Sequence, residues 1–454
     1  MATLGGSQTL VNDIDDTRSY YQGAGEGQGK IGTEVEMAFY HADNLTFMSK
    51  EENARLFEQA AQNGLQINPE PFCDGLEISS GAAGFDNLET ILQETDDKIR
   101  QTVALAQTLN LKRSFFEQSP QISTDALLDH IIDNTRYQAF FVPVRPDLLG
   151  ISRYFVGSKS VQTSVSYENP NHLLDLMRRL AFLTPFLFTL TANHAPFMAP
   201  SSDKITYHPG MTFRRALGHL GGMPDYIFDA RDGDDLINRH IQAVHTTPVF
   251  SVFNHEGRQI RLPEGQWKSL HDLKAEGLNT EQNYFQVQSM MWRDLMIKPY
   301  RNADGHITNH RLEVRMFGTG MHQHVTATLI TAALAFRHDY AAEIDRLLSH
   351  YGFTTNHLES ARNALGQAYT DSREHKGRFM DIPYGTGNMA GFAKEFSRIT
   401  LQAYEATALA PRLAPLKYIC ETGITDSKAH SEYLCSMEMV KEIQKRHDND
   451  AINN

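Results

Sequence analysis

Alternate glutamates carry the first chemistry in this chain. In the stretch Lys30-Ile31-Gly32-Thr33-Glu34-Val35-Glu36-Met37-Ala38-Phe39-Tyr40, a two-residue period puts Ile31, Val35, Met37 and Phe39 on one face. Gly32, Glu34 and Glu36 fall on the other. Two carboxylates so spaced sit about 7 Å apart and point the same way. That is too far for a shared proton, but it suits two neighbouring divalent cations, or one cation and a water. Gly32 on the acidic face lets backbone or ligand approach closely. A half-buried strand with an acidic outer face has the same pattern, so other segments must answer it. Three do: Glu70 and Glu77 in residues 66–80, Gln162, Ser164 and Ser166 in 160–167, and Arg311, Glu313 and Arg315 alternating with Leu312, Val314 and Met316 in 310–317. A sheet covered by many helices is buried on at least one side, so the four polar faces are not all solvated. A buried carboxylate cluster costs several kcal/mol per uncompensated charge and persists only with counter-charge from metal ions or arginines. Carboxylates from several strands with two arginines and no cysteine ligands suit hard Mg²⁺ and phosphate rather than zinc.

The elements that must position these groups follow from caps and periodicity. Ser49 with Glu52 makes a capping box that opens a helix running to Asn63, stopped by Gly64. Asp86 with Glu89 caps the next, whose Leu88, Ile91, Leu92, Ile99, Val103 and Ala106 form one stripe. Residues 113–117 read as a strand, and Pro170 after Asn169 starts an apolar helix. Residues 198–285 are rich in Gly, Pro, Asp and His, with a strand at 248–253. Beyond Val325 the pattern is helical at 325–336, 340–350, 357–369, 392–408 and 432–445. No low-complexity linker and no repeat divides the chain. The expectation is a flexible arm over 1–20, one α+β catalytic domain over 21–446, sheet-rich to 320 and helix-rich from 321, and a polar tail over 447–454.

Composition excludes more than it selects. The 454 residues are 41% hydrophobic, enough for a large core, and the formal charge is 42 − 55 = −13. An acidic chain without a basic block is a poor partner for nucleic acid or an anionic membrane. Three unpaired-looking cysteines, Cys73, Cys420 and Cys435, argue against a disulfide framework and fit a reducing cytoplasm. The polar, acidic N-terminus has no signal-peptide pattern, and the most apolar run, 180–197, is too broken to span a bilayer.

The order and wording of the motifs resemble the glutamate–cysteine ligases of the plant and proteobacterial branch. Gly32-Thr33-Glu34-Val35-Glu36 is similar to that family's G-x-E-x-E strand, and Gly75-Leu76-Glu77-Ile78-Ser79 to its Q-F-E-L-S. Ser160-Val161-Gln162-Thr163-Ser164-Val165 resembles T-V-Q-V-N-L, and Thr191-Ala192-Asn193-His194-Ala195-Pro196-Phe197 resembles F-A-N-S-P-F. Gly221-Gly222-Met223-Pro224-Asp225-Tyr226-Ile227-Phe228 is like A-G-M-L-P-F-V-F, and Arg311-Leu312-Glu313-Val314-Arg315 is like R-Y-L-E-M-R. The resemblance covers roughly residues 30–320. It implies a glutamine-synthetase-like fold, in which a curved antiparallel sheet packed with helices forms an active-site funnel for ATP and Mg²⁺. It makes Glu34, Glu36, Glu77 and Glu313 metal carboxylates, with Glu70 a weaker member because its spacing to Glu77 is one residue longer. It places Gln162 at a substrate position and Arg315, with Arg311, at the charge developed in transfer. The family's Asn in Q-V-N is Ser164 here, and the basic residue two before G-M is Leu220. Arg214 and Arg215 upstream are candidates to replace the latter. The implied reaction joins the γ-carboxylate of glutamate to the amine of cysteine through an acyl phosphate, the first step of glutathione biosynthesis. A ligase using another acid or amine, and a binding protein on this fold without turnover, stay open. His322 and His324 have strand spacing for two metal ligands but stand at a helix start, where structure or capping is the expectation. Gly385-Thr386-Gly387-Asn388, near Arg373, Lys376 and Arg378, reads equally as a phosphate-covering loop or a plain turn. Cys73 reads as a small buried hydrophobe.

Overall fold

The acidic stretch is a strand, β1 (Lys30–His41), and it lies inside the sheet rather than at an edge. The computed structural model describes residues 9–21, 28–41, 43, 46–114, 130–133, 159–193, 214, 217–263, 265–301, 307–354, 358–374 and 381–425. Among them run α1 (Lys50–Gln62), β2 (Asn68–Pro69), β3 (Gly75–Ser79), α2 (Leu88–Thr108), β4 (Leu111–Ser114), β5 (Ser160–Val165) and α3 (Pro170–Leu190). There follow α4 (Gly233–Thr246), α5 (Glu281–Ser289), β6 (Leu295–Arg301), β7 (Ile307–Gly318), α6 (Gln323–Phe336), α7 (His338–His350), α8 (Leu358–Glu374) and α9 (Met389–Tyr404). The principal sheet has the order β6-β7-β5-β1-β3-β2, and every neighbouring pair is antiparallel. The sheet curls into a half-barrel. β1 changes partner along its length, pairing with β5 over its first half, β3 in the middle and β4 at its end. The expected α+β fold with a curved antiparallel sheet is what the chain adopts.

The two faces of β1 behave as its period demands. Ile31, Val35, Met37 and Phe39 are fully buried against helices. Beneath them lies α6, buried at every position from Gln323 to Ala335, as a helix apolar on all sides must be. Two of its threonines meet hydroxyls from the sheet: Thr33 Oγ1 is 2.7 Å from Thr328 Oγ1, and Thr163 Oγ1 donates to Thr331 Oγ1 at 3.0 Å. These bonds tie the sheet to the helix and pair all four of these buried hydroxyls.

Local signals hold at several termini. Ser49 and Glu52 form the reciprocal capping box of α1, and Gly64 follows its end with φ +69°. Asn169 caps α3 through its side chain, with Pro170 as the first helical residue. Other expectations need correction. Residues 66–80 are not one strand: the chain turns after Pro69, and β2 and β3 pair with each other. Asp86 does not cap α2, because Phe85–Asn87 forms a 3₁₀ turn that leads directly into it. The N-terminal arm is docked over its described part: Val11 N donates to Asn279 O, Glu281 N to Thr9 O, and Val11 and Thr17 are buried. From Gln323 onward the described elements are helical apart from one short hairpin, while α1 to α4 also alternate with the strands before it. Residues 115–117 of the strand expected at 113–117, and the helix expected at 432–445, lie outside the described residues. No described helix is long and apolar enough to cross a membrane.

Candidate active site

Register brings the polar groups together. Glu36 lies directly opposite Glu77, and Glu34 stands between Ser79 on β3 and Gln162 on β5. Ser164 stands between Gly32 and Glu313. Residues opposed in an antiparallel pair share a face, so Glu34, Glu36, Glu77, Gln162, Ser164 and Glu313 share one, with Arg311 and Arg315 flanking Glu313 two residues either way.

One end of that face is anionic. Carboxylate oxygens of Glu36, Glu70 and Glu77 all lie within 4.8 Å of one another. Glu36 is buried and held tightly: its Oε2 accepts from the Ser160 backbone N–H at 2.7 Å and the Ser160 hydroxyl at 3.0 Å, and its Oε1 from Gln162 Nε2 at 2.6 Å. Glu77 Oε1 accepts from Asn68 Nδ2 at 3.1 Å. Burial, then the Glu34 and Glu36 charges, push the Glu77 carboxyl up to about 8. Glu70 reaches the cluster because the turn between β2 and β3 absorbs its extra residue, with Gly75 N–H donating to Phe72 O at 2.9 Å. Gly75 itself cannot be larger: a Cβ there would stand 2.9 Å from both Glu70 Cβ and Lys159 Nζ. Three carboxylates without thiolate or imidazole make a hard oxygen donor set, which fits Mg²⁺.

The other end is cationic, and its main residue was not singled out from the sequence. Lys298 on β6 places its Nζ 2.8 Å from Glu313 Oε1 and 2.6 Å from Oε2. Arg315 Nε donates to Gln162 Oε1 at 3.1 Å and lies 3.3 Å from Glu313 Oε2. Burial alone would raise the Glu313 carboxyl, but Lys298, Arg315 and Arg311 outweigh it and hold it down to about 2. Glu313 is therefore a carboxylate already matched by fixed cations, apart from the Glu36–Glu70–Glu77 cluster. Glu34 lies between the two ends. Burial and then the Glu313 charge raise its carboxyl, with Arg311, Lys298 and Arg315 opposing. Arg214 arrives from outside the sheet, buried, with Nη1 3.2 Å from Arg293 O and 3.6 Å from Asp294 Oδ1. Burial and the neighbouring Arg315 bring its guanidinium to about 10, against the pull of Asp294, Glu36 and Glu313. Arg215 lies outside the described residues. Lys298 had a faint signal in the sequence, Leu295 and Ile297 alternating with Met296 and Lys298, but one lysine on an ordinary strand carries no chemistry until its neighbour is known.

A cleft of about 710 Å³ opens beside Glu34, with Gly32, Ser164, Arg311, Tyr300 and Lys98 among the residues of its wall. The remaining sequence candidates lie elsewhere. His324 Nε2 is 2.8 Å from Asp96 Oδ1 in a buried corner shared with Arg412, and His322 precedes α6 without a side-chain cap. Gly385 (φ +57°) turns a short hairpin against Tyr351 O, and Asn388 caps α9 through Gly391 N–H, so this segment is a tight turn. The Arg373, Lys376 and Arg378 side chains lie outside the described residues. Cys73 is buried and its Sγ donates to Met48 O at 2.8 Å. Burial pushes the Cys73 and Cys420 thiols up to about 12, and Cys435 lies outside the described residues. With thiolate suppressed at both positions, mild oxidants are expected to leave native activity unchanged, and iodoacetamide at pH 8 to label Cys73 and Cys420 only after unfolding. Mass spectrometry of the labelled peptides checks this; rapid native labelling of either would contradict it.

The sequence profile described as glutamate-cysteine ligase family 2 (GCS2) matches residues 30–446. The chain belongs to glutamate–cysteine ligase family 2. The match covers the whole polar face and makes the protein a member of a ligase family tied to glutathione biosynthesis. Among solved structures, this family member is similar to a glutamate–cysteine ligase from Francisella tularensis in complex with AMP. That likeness has 10% identity and a TM-score of 0.52 over 93% of this chain and 88% of that one. It is also similar to a bifunctional glutathione synthetase from Pasteurella multocida, at 11% identity and a TM-score of 0.49 over 94% of this chain. It spans about half of that enzyme, 52% of its length. At such identities the likeness is one of fold. No curated protein matches the sequence significantly.

Proposed function

We propose that this member of the family is an ATP-dependent carboxylate–amine ligase that joins the γ-carboxylate of glutamate to the amine of cysteine. The observation that carries the reading is the division of one sheet face into a three-carboxylate end and a cationic end. Phosphoryl transfer to a carboxylate needs both: something to neutralise the triphosphate, and fixed cations where charge develops. Glu36, Glu70 and Glu77 would hold Mg²⁺, which when bound neutralises the nucleotide phosphates. Arg315, braced by Gln162 and Glu313, points its guanidinium at the transferring phosphoryl group, and Arg214 adds a second buried cation behind it. A γ-carboxylate oxygen attacks the terminal phosphorus of ATP, and the bond to ADP breaks. The amine nitrogen then attacks the acyl carbon, phosphate leaves, and the nitrogen loses a proton to give the amide. The AMP held by the similar Francisella structure supports a nucleotide site on this fold.

The test intercepts the acyl phosphate. Hydroxylamine is small, uncharged at neutral pH and needs no amine pocket, so it is expected to yield glutamate hydroxamate only when ATP and Mg²⁺ are both present. An amino acid with methyl in place of the cysteine thiol is expected to be accepted with weaker affinity, because attack needs only the amine. If no acid on a broad panel gives a hydroxamate, the ligase reading fails.

A further inference from the structure

Two polar groups in the cleft wall are left without partners. Arg311 Nε and Ser164 Oγ are both buried from solvent and, among the described residues, neither makes a hydrogen bond. An unpaired buried donor is costly, about 1–3 kcal/mol and more for a charged group, unless a ligand completes it. The usual partner of Arg311 is already taken: Lys298 spans both oxygens of Glu313, and Arg315 approaches it from the other side. Arg311 is instead braced from outside, its guanidinium carbon 5.5 Å from the centre of the Tyr300 ring. Ser164 stands opposite Glu313 on the next strand, so it is the diagonal neighbour of Arg311 on the same face. Gly32 opposite Ser164 carries no side chain over this patch, and a Cβ there would touch only Gly81 O at 3.5 Å and Ser80 Oγ at 3.9 Å.

We infer that Arg311 and Ser164 form a clamp for a substrate carboxylate that does not react, an inference that rests on the ligase reading above. A guanidinium edge offers two parallel N–H donors to a carboxylate, and a hydroxyl adds a third. The position suits this role. Arg311 lies four residues from Arg315, about 13 Å along a strand at ~3.3 Å per residue. A phosphoryl group at Arg315, followed by the acyl carbon and the body of an amino acid, ends in an α-carboxylate at Arg311. Arg311 is thereby assigned to substrate recognition, not to the charge developed in phosphoryl transfer. Both amino-acid substrates carry such a carboxylate, and the experiment separates them.

Arg311→Gln and Ser164→Ala are compared with the native protein in two assays. With hydroxylamine as nucleophile, only the acid can use the clamp; with the full pair of substrates, the amine can as well. For the clamped substrate, KM is expected to rise roughly 30-fold in Arg311→Gln and about 5-fold in Ser164→Ala, with kcat changed little, since a charge-assisted bond outweighs a neutral one. A rise already present with hydroxylamine assigns the carboxylate to the acid, and one confined to the full reaction assigns it to the amine. The decarboxylated analogue of that substrate is expected to react equally with native and variant proteins. Retained hydroxamate kcat serves as the control for folding. The clamp is overturned if neither KM moves. It is equally overturned if hydroxamate kcat collapses at unchanged KM, which would place Arg311 with Arg315. Absence of hydroxamate from the native protein would sink the ligase reading, and titration calorimetry of glutamate and cysteine without ATP then decides the clamp alone: equal affinity of native and Arg311→Gln proteins for both overturns it.

Discussion

Glu77→Gln is expected to abolish ligase turnover, by ~10³-fold or more, while making the metal-free protein more stable in alkaline solution. The substitution keeps an oxygen to accept from Asn68 Nδ2, so the local hydrogen bond survives. What it removes is a charge beside Glu34 and Glu36, which together with burial push the Glu77 carboxyl from its ordinary 4.5 up to about 8. The sign follows from linkage. Between those two values the folded state holds a proton that the unfolded chain has released, so stability from this group is full below about pH 4.5. It falls as pH rises toward 8, by on the order of a few kcal/mol. Glutamine has no such dependence. Thermal unfolding at pH 6 and pH 8.5 should show the variant gaining more on the native protein at the higher pH. Mg²⁺ should raise the native midpoint at pH 8.5 and leave the variant nearly unmoved. Turnover within tenfold of native, or an unchanged response to Mg²⁺, would remove Glu77 from the metal site. Glu36→Gln should be equally inactive but less stable, because both Glu36 oxygens accept hydrogen bonds and an amide would turn a donor toward another donor.

Arg315→Lys is expected to lower kcat by about 10²- to 10³-fold, the range seen when one fixed donor to developing charge is lost. The charge is kept, so the loss isolates geometry. Lysine cannot bond Gln162 and Glu313 along one edge while presenting the rest of a planar fork to a phosphoryl group. KM for ATP should change little, since the phosphates are held mainly at the carboxylate end. Steady-state kinetics in the hydroxylamine assay measures both. A kcat within a few-fold of native would show that Arg315 braces the sheet and does not meet the substrate.

How much of this was legible beforehand depended on distance along the chain. Alternation in β1 and β7 was plain because a strand buried on one face writes its period into adjacent residues, as Ile31, Val35 and Met37 do. The α1 capping box was equally local. Expectations failed where one short signal competed with another. Residues 66–80 carry a polar alternation, but the turn ending at Gly75 splits them into two strands, and Asp86 yields the start of α2 to a 3₁₀ turn at Phe85–Asn87. The grouping of the carboxylates was not readable at all. Glu70 joins Glu36 and Glu77 through a turn, and Glu313 is set apart by Lys298, a contact created only when β6 pairs with β7. Motif resemblance supplied the residues; their division into an anionic and a cationic end came from the sheet.

During synthesis β1 emerges long before the strands that flank it. β5 begins at Ser160, and β7, which covers the far edge of β5, ends only at Gly318. At ~5–20 residues per second, tens of seconds separate the first strand from the last. Until then Ile31, Val35 and Met37 lack the α6 surface they pack on, and β5 has an unpaired edge. A nascent chain in that state is both slow to fold and prone to pair with a second copy of itself. Release of the α6 segment from the ribosome is thus the event that commits the chain, and slowing translation before residue 323 should increase its demand for chaperones.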